Sequence, residues 1–114
     1  MNLYWGQTAI VRMENELSDE FSIIKGVRQG CILSPILFNL YTNYMIDEAF
    51  EDLEGIKING ENITNIRYAD MTVLWAENKE KLQLLMTALS DKCEEYGMAL
   101  NENKAKVMLV NKEQ

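Results

Sequence analysis

Short apolar runs with β-like alternation are interspersed with two longer stretches of helical period, and their order predicts the architecture. Residues 8–12 alternate weakly, and apolar character resumes over 21–24 after a polar stretch. This reads as two short strands around an acidic turn near Leu17, Ser18 and Asp19. Ser34 followed by Pro35 marks a helix start, a hydroxyl N-cap and then proline at the first helical position. The helix is expected to run over 35–53 and to stop before Gly55. Its first half (Ile36, Leu37, Phe38, Leu40, Tyr41, Tyr44, Met45) is apolar almost all round, which predicts a central buried helix. Its second half turns acidic and is expected to be a solvated face. Residues 56–63 read as a hairpin about Asn59-Gly60, the strongest local hairpin signal in the chain. A second hairpin follows over 66–76, where apolar and β-branched residues flank a break at Ala69, Asp70 and Met71. Asn78 then caps a helix whose apolar stripe (Leu82, Leu85, Met86, Leu89, Cys93, Tyr96) predicts a core face, with Gly97 as its stop. Residues 106–110 read as a last strand. The order predicts an α+β fold, an antiparallel β-sheet with helices on one face.

Composition narrows the function classes. A chain of 114 residues is one small domain, with room for a single core but little more. No apolar run approaches the roughly 20 residues needed to span a bilayer, and the N-terminus lacks a basic segment followed by an apolar core, so neither a membrane nor a secretory signal is expected. The two cysteines, Cys31 and Cys93, lie far apart, which favours a reducing, intracellular (cytoplasmic or nuclear) location and disfavours a zinc site. With no histidine in the chain, His-dependent triads and His-ligated metals are excluded. A net charge of −7 disfavours generic nucleic-acid binding.

Asp70 is the residue whose chemistry most needs explaining. A carboxylate inside so apolar a run is costly to desolvate. It is either a turn residue, since Asp favours turns, or a reactive group. Gly26 and Gly30 in turn permit backbone conformations and close approaches that a Cβ would block.

Several stretches agree on a family. Residues 26–39, Gly-Val-Arg-Gln-Gly-Cys-Ile-Leu-Ser-Pro-Ile-Leu-Phe-Asn, resemble motif B of reverse transcriptases, in the form found in non-LTR (LINE-like) retrotransposons. Tyr68-Ala69-Asp70-Met71 resembles motif C, in which tyrosine and alanine precede two aspartates, and residues 97–106 resemble motif D. Residues 7–12 are similar to the segment leading into motif B. The resemblance covers nearly the whole chain. It implies a partial polymerase palm over residues 1–114, beginning beyond motif A and without a thumb.

The resemblance also implies chemistry. Nucleotidyl transfer uses two divalent ions that clamp the attacking hydroxyl and the leaving pyrophosphate, and Mg2+ takes oxygen ligands. Asp70 would be a catalytic carboxylate and metal ligand. Arg28, Gln29, Gly30, Tyr68 and Ala69 would lie at the nucleotide and template, and Lys104 would match the motif D lysine that helps protonate pyrophosphate. Taken alone, Arg28 and Lys104 are equally well read as surface cations. The partners implied are RNA template, DNA primer and deoxynucleotide. Met71 stands where the second aspartate is expected, and a thioether is a poor partner for magnesium. With one of three carboxylates left, catalysis by this chain alone is not expected, nor is measurable nucleic-acid affinity at physiological salt.

An alternative of another class is a non-enzymatic interaction module. A palm sheet without its motif A strand would leave an open edge that recruits a strand from a second copy or another protein. The apolar start (Leu3, Tyr4, Trp5) and seven methionines suit an adaptable contact surface.

Overall fold

The computed structural model describes residues 4–111, so Leu3 of the apolar start lies outside the described residues. Ten elements follow in the order β1 (Gln7–Ala9), β2 (Arg12–Met13), β3 (Glu16–Leu17), β4 (Phe21–Ile23), α1 (Ser34–Phe50), β5 (Ile56–Ile58), β6 (Glu61–Ile63), β7 (Asn65–Tyr68), β8 (Met71–Leu74) and α2 (Lys79–Glu95). The class is α+β, with antiparallel strands and two helices. The strands pair as four separate two-stranded ladders, β1 with β4, β2 with β3, β5 with β6 and β7 with β8. The chain divides into two compact units, Met1–Tyr41 and Thr42–Gln114, each described by itself.

In the first unit four short strands replace the two expected. The reversal falls at Glu14 and Asn15 rather than near Leu17, Ser18 and Asp19, because Glu14 takes a positive φ of 50° and lets Met13 pair with Glu16. Ser18 continues the ladder, exchanging its N–H with the Val11 carbonyl and accepting the Val11 N–H on its hydroxyl, both at 2.9 Å. Helix α1 begins on Ser34 itself. The Ser34 hydroxyl donates to the Arg28 carbonyl instead of capping the helix, which corrects the expected N-cap.

The second unit holds the core. Thr42, Met45, Ile46, Ala49 and Phe50 recur at helical spacing along α1, and Leu85, Leu89 and Cys93 face them from α2. Leu53, Leu74, Ala76, Ala88, Tyr96, Met98 and Leu100 pack around this cluster. Burial of α1 departs from expectation in most of its first half, while Met45 there is buried as expected. Most of that half is on the surface, with Ile36, Leu40 and Tyr44 at 55%, 62% and 64% exposure. In the second half of α1, Asp47 and Glu48, like Glu51 and Asp52 just after the helix, are exposed as the expected solvated acidic face, while Ile46, Ala49 and Phe50 are buried because α2 supplies a partner there. Asn78 caps α2 as expected, its side chain accepting the Lys81 N–H at 2.8 Å, and Gly97 leaves the helix at φ 71°.

A polar clasp joins the two helices at their C-terminal ends. The Tyr96 hydroxyl donates to Glu48 Oε2 at 2.7 Å, while Lys92 Nζ lies 3.4 Å from Glu48 and 2.8 Å from Glu95. The Glu48 carboxylate pushes the Tyr96 phenol up to about 12, and the Tyr96 hydrogen bond in turn holds Glu48 below its usual value. Asn62 brackets the entry to the β5–β6 hairpin, accepting the Gly55 N–H at 2.9 Å and donating to the Leu53 carbonyl at 3.0 Å. Residues 106–110 do not form the expected last strand. They carry no ladder, and Val107, Met108, Leu109 and Val110 are 81–86% exposed. Alternation and β propensity do not suffice without a partner to complete the hydrogen bonds.

Candidate active site

The hairpin at the centre of the sequence reading forms as its pattern predicts. Four pairs hold it, Asn65 with Leu74, Ile66 with Val73, Arg67 with Thr72 and Tyr68 with Met71. The Trp75 N–H extends it onto the Thr64 carbonyl at 2.8 Å. Ala69 and Asp70 are therefore a two-residue loop, and Asp70 is its second residue, exposed at the tip. Ala69 takes φ 53° and Asp70 does not share the positive sign. A positive φ at the first loop position alone is the sign pattern of a type II′ turn. That conformation normally calls for glycine, so Ala69 carries local backbone strain directly beside the carboxylate.

Alternation sorts the hairpin into two faces. Leu74 joins the core cluster, on the face shared with Asn65, Arg67 and Thr72. The opposite face bears Ile66, Tyr68, Met71 and Val73, all exposed, with Tyr68 at 81% and Met71 at 64%. Met71 is the ladder partner of Tyr68, so the position next to Asp70 offers a thioether where a second carboxylate is needed. Among the described residues no three His, Cys, Asp or Glu side chains gather as a group able to hold a metal. A lone exposed carboxylate does not meet the oxygen-rich coordination that magnesium demands, so the groups present among the described residues do not fit a magnesium site.

Lys104 lies in the same unit, exposed, in a turn where its N–H and that of Ala105 both reach the Asn101 carbonyl, at 3.1 and 3.2 Å. Arg28, Gln29 and Gly30 belong to the first unit and are exposed. They form one turn in which the Cys31 N–H lies 3.4 Å from the Arg28 carbonyl and Gly30 takes φ 77°. A Cβ on Gly30 would meet nothing within 4 Å, so glycine is needed there for its φ and not for room. The structure thus brings Tyr68, Ala69 and Asp70 together on one loop, and Arg28, Gln29 and Gly30 on another. What sequence reasoning missed is the pair supporting the second loop. Tyr4 and Ser34 share a 2.9 Å hydrogen bond, and Ser34 also binds the Arg28 carbonyl. The only available signal, a serine before proline, pointed to a cap.

Against this geometry, known proteins give a consistent result. The family model described as reverse transcriptase (RNA-dependent DNA polymerase) matches residues 1–114. The chain belongs to the reverse transcriptase family. Its relatives include the Pol polyprotein of the type-2 retrotransposable element R2DM of Drosophila melanogaster, 36% identical over 104 residues, covering 90% of this chain and 10% of that protein. The Pol polyprotein of the type-1 retrotransposable element R2 of Nasonia vitripennis is 34% identical over 80 residues, covering 70% of this chain and 8% of that protein. A transposon-derived protein of Caenorhabditis elegans is 38% identical over 53 residues, covering 46% of this chain and 19% of that protein. No solved structure matches the chain. This reverse transcriptase segment, of the non-LTR retrotransposon type, spans about a tenth of the R2DM polyprotein. Reverse transcriptases as a family use Mg2+ and bind template and nucleotides.

Proposed function

We propose that this chain is the part of an RNA-directed DNA polymerase palm that carries the motif C hairpin and the motif B loop, and that the 114 residues alone do not polymerise. The observation that carries this is the loop of β7–β8. Asp70 projects at the apex of a hairpin of the family's kind, yet its neighbour Met71 cannot ligate a hard cation. Asp70 is the remaining metal carboxylate of the site. Tyr68 and Ala69 shape its approach to primer and nucleotide, Arg28, Gln29 and Gly30 face nucleotide and template, and Lys104 is the cation for the leaving pyrophosphate. Two free cysteines fit a reducing intracellular compartment. The test is primer extension on an RNA template in Mg2+ with the 114-residue chain. No extended product is expected, and robust synthesis overturns the proposal of inactivity.

A second reading, a self-associating interaction module, is favoured by one observation. Val107, Met108, Leu109 and Val110 form an all-apolar, strand-like run at 81–86% exposure, and each two-stranded ladder has open outer edges. Mass in solution as a function of concentration tests it. A strictly monomeric, cooperatively folding species counts against strand-mediated association.

A further inference from the structure

The motif B loop is held by residues outside the turn itself. The turn over residues 28–31 has Gln29 and Gly30 as its central pair, with the positive φ of 77° at Gly30 that a type II turn requires. Its own backbone closes it weakly, since the Cys31 N–H lies 3.4 Å from the Arg28 carbonyl. Gly26, at φ 90°, precedes it and adds conformational freedom. An exposed turn with one glycine inside it, another just before it and one long hydrogen bond would sample many conformations unless something else held it.

That something is a hydroxyl relay. Ser34 is 7% exposed and anchored as the first residue of α1, and its N–H reaches the Cys31 carbonyl at 3.2 Å. Its hydroxyl donates to the Arg28 carbonyl. A hydroxyl has one proton, so in the 2.9 Å contact with Tyr4 it is the Tyr4 O–H that donates to Ser34 Oγ. The direction of the chain is therefore fixed, from Tyr4 to Ser34 to the Arg28 carbonyl. Hydrogen bonds in series polarise one another and strengthen the last link. We propose that Tyr4 and Ser34 are positioning residues, a relay that locks the residue 28–31 turn in the conformation presenting Gln29 and Gly30 to nucleotide and template. This rests on the placement of Gln29 and Gly30 at the nucleotide given above.

The test uses amide exchange on the full 114-residue chain. Tyr4→Phe and Ser34→Ala each raise exchange at the Cys31 and Ser34 amides about fivefold, the factor corresponding to one net hydrogen bond. Ser34→Thr, which keeps the donor, restores protection, and the amides of Leu85 and Leu89 are unchanged in all three variants. Wild-type exchange in both Tyr4→Phe and Ser34→Ala overturns the relay. Gln29→Ala separates the two ideas. It is expected to leave exchange at Cys31 as in the wild type, so any loss of nucleotide binding in that variant bears on the site and not on the relay.

Discussion

Asp70 and Met71 sit side by side in the chain but play different parts in the hairpin. Asp70 is in the loop and Met71 is in the ladder, so replacing either leaves the other's backbone role intact. Asp70→Asn is expected to leave the thermal midpoint within experimental error, because the side chain is exposed and surface substitutions of this kind are nearly neutral. Met71→Asp should fold and still give no product in primer extension, since one restored carboxylate does not complete a two-metal site. The Tyr96–Glu48–Lys92 clasp makes a pH prediction. Glu48 is lowered in the fold from its ordinary value of 4.5, so its contribution is present above that value and lost as pH falls through the lower folded one. Tyr96 is raised from 10.0 to about 12, so its contribution is complete below pH 10 and lost as pH climbs toward 12. Lys92 and Lys81, both raised by their carboxylate partners, act in the same alkaline direction. Thermal midpoints across pH should therefore show a plateau with an acid limb below about 4.5 and an alkaline limb above 10. Tyr96→Phe should shrink the alkaline limb without abolishing it.

Among the elements, the β5–β6 and β7–β8 hairpins and both helices form from local signals, but which part of α1 is buried does not follow from them. Asn59-Gly60 supplies two positive φ values, 52° and 85°, as a type I′ turn needs, and Asn78 satisfies the first turn of α2. Asn78→Ala should lower stability by about 1 kcal/mol in denaturant unfolding. At the β7–β8 loop, Ala69 holds φ 53° where glycine is the favoured residue, so Ala69→Gly is expected to cost nothing or to stabilise by up to about 1 kcal/mol. Gly55 is the opposite case. An added Cβ would lie 2.0 Å from the Ile63 carbonyl oxygen, so Gly55→Ala must displace the β5–β6 hairpin and should destabilise by more than about 2 kcal/mol. Helix α1 shows why apolar content is an unreliable guide to burial. Ile36, Leu40 and Tyr44 are exposed, while Met45, Ile46 and Phe50 are buried by Leu85 and Leu89.

For the chain as a whole, what matters is how little of its apolar surface is buried. The buried cluster draws on α1 and α2 within Thr42–Gln114, and exposed apolar side chains run from Trp5 to Val110. A core of this size leaves a small margin. Leu85→Ala, at the most buried side chain, should cost about 2–5 kcal/mol and remove the cooperative unfolding transition altogether. The excess of eighteen acidic over eleven basic residues argues in the same sense for function, since phosphate contacts supply most non-specific affinity. Titration with an RNA–DNA duplex at physiological salt is expected to give no saturable binding.

The amino-acid sequence by itself determined the family and the local elements. The motif spacing, the Asn59-Gly60 turn, the cap at Asn78 and the Ala69-Asp70 loop all depend on residues close together in the chain, where propensity and turn chemistry decide. Tertiary structure alone decided which half of α1 is buried, that residues 106–110 stay unpaired, and that the Ser34 hydroxyl serves the Arg28 carbonyl rather than its own helix. The first two hang on a partner distant in sequence or on its absence, and the third on how the short segment 28–34 folds to bring the Arg28 carbonyl to Ser34. No local pattern encodes whether such a partner arrives, so the apolar run of α1 and the alternation of 106–110 gave the wrong expectation for the same physical reason.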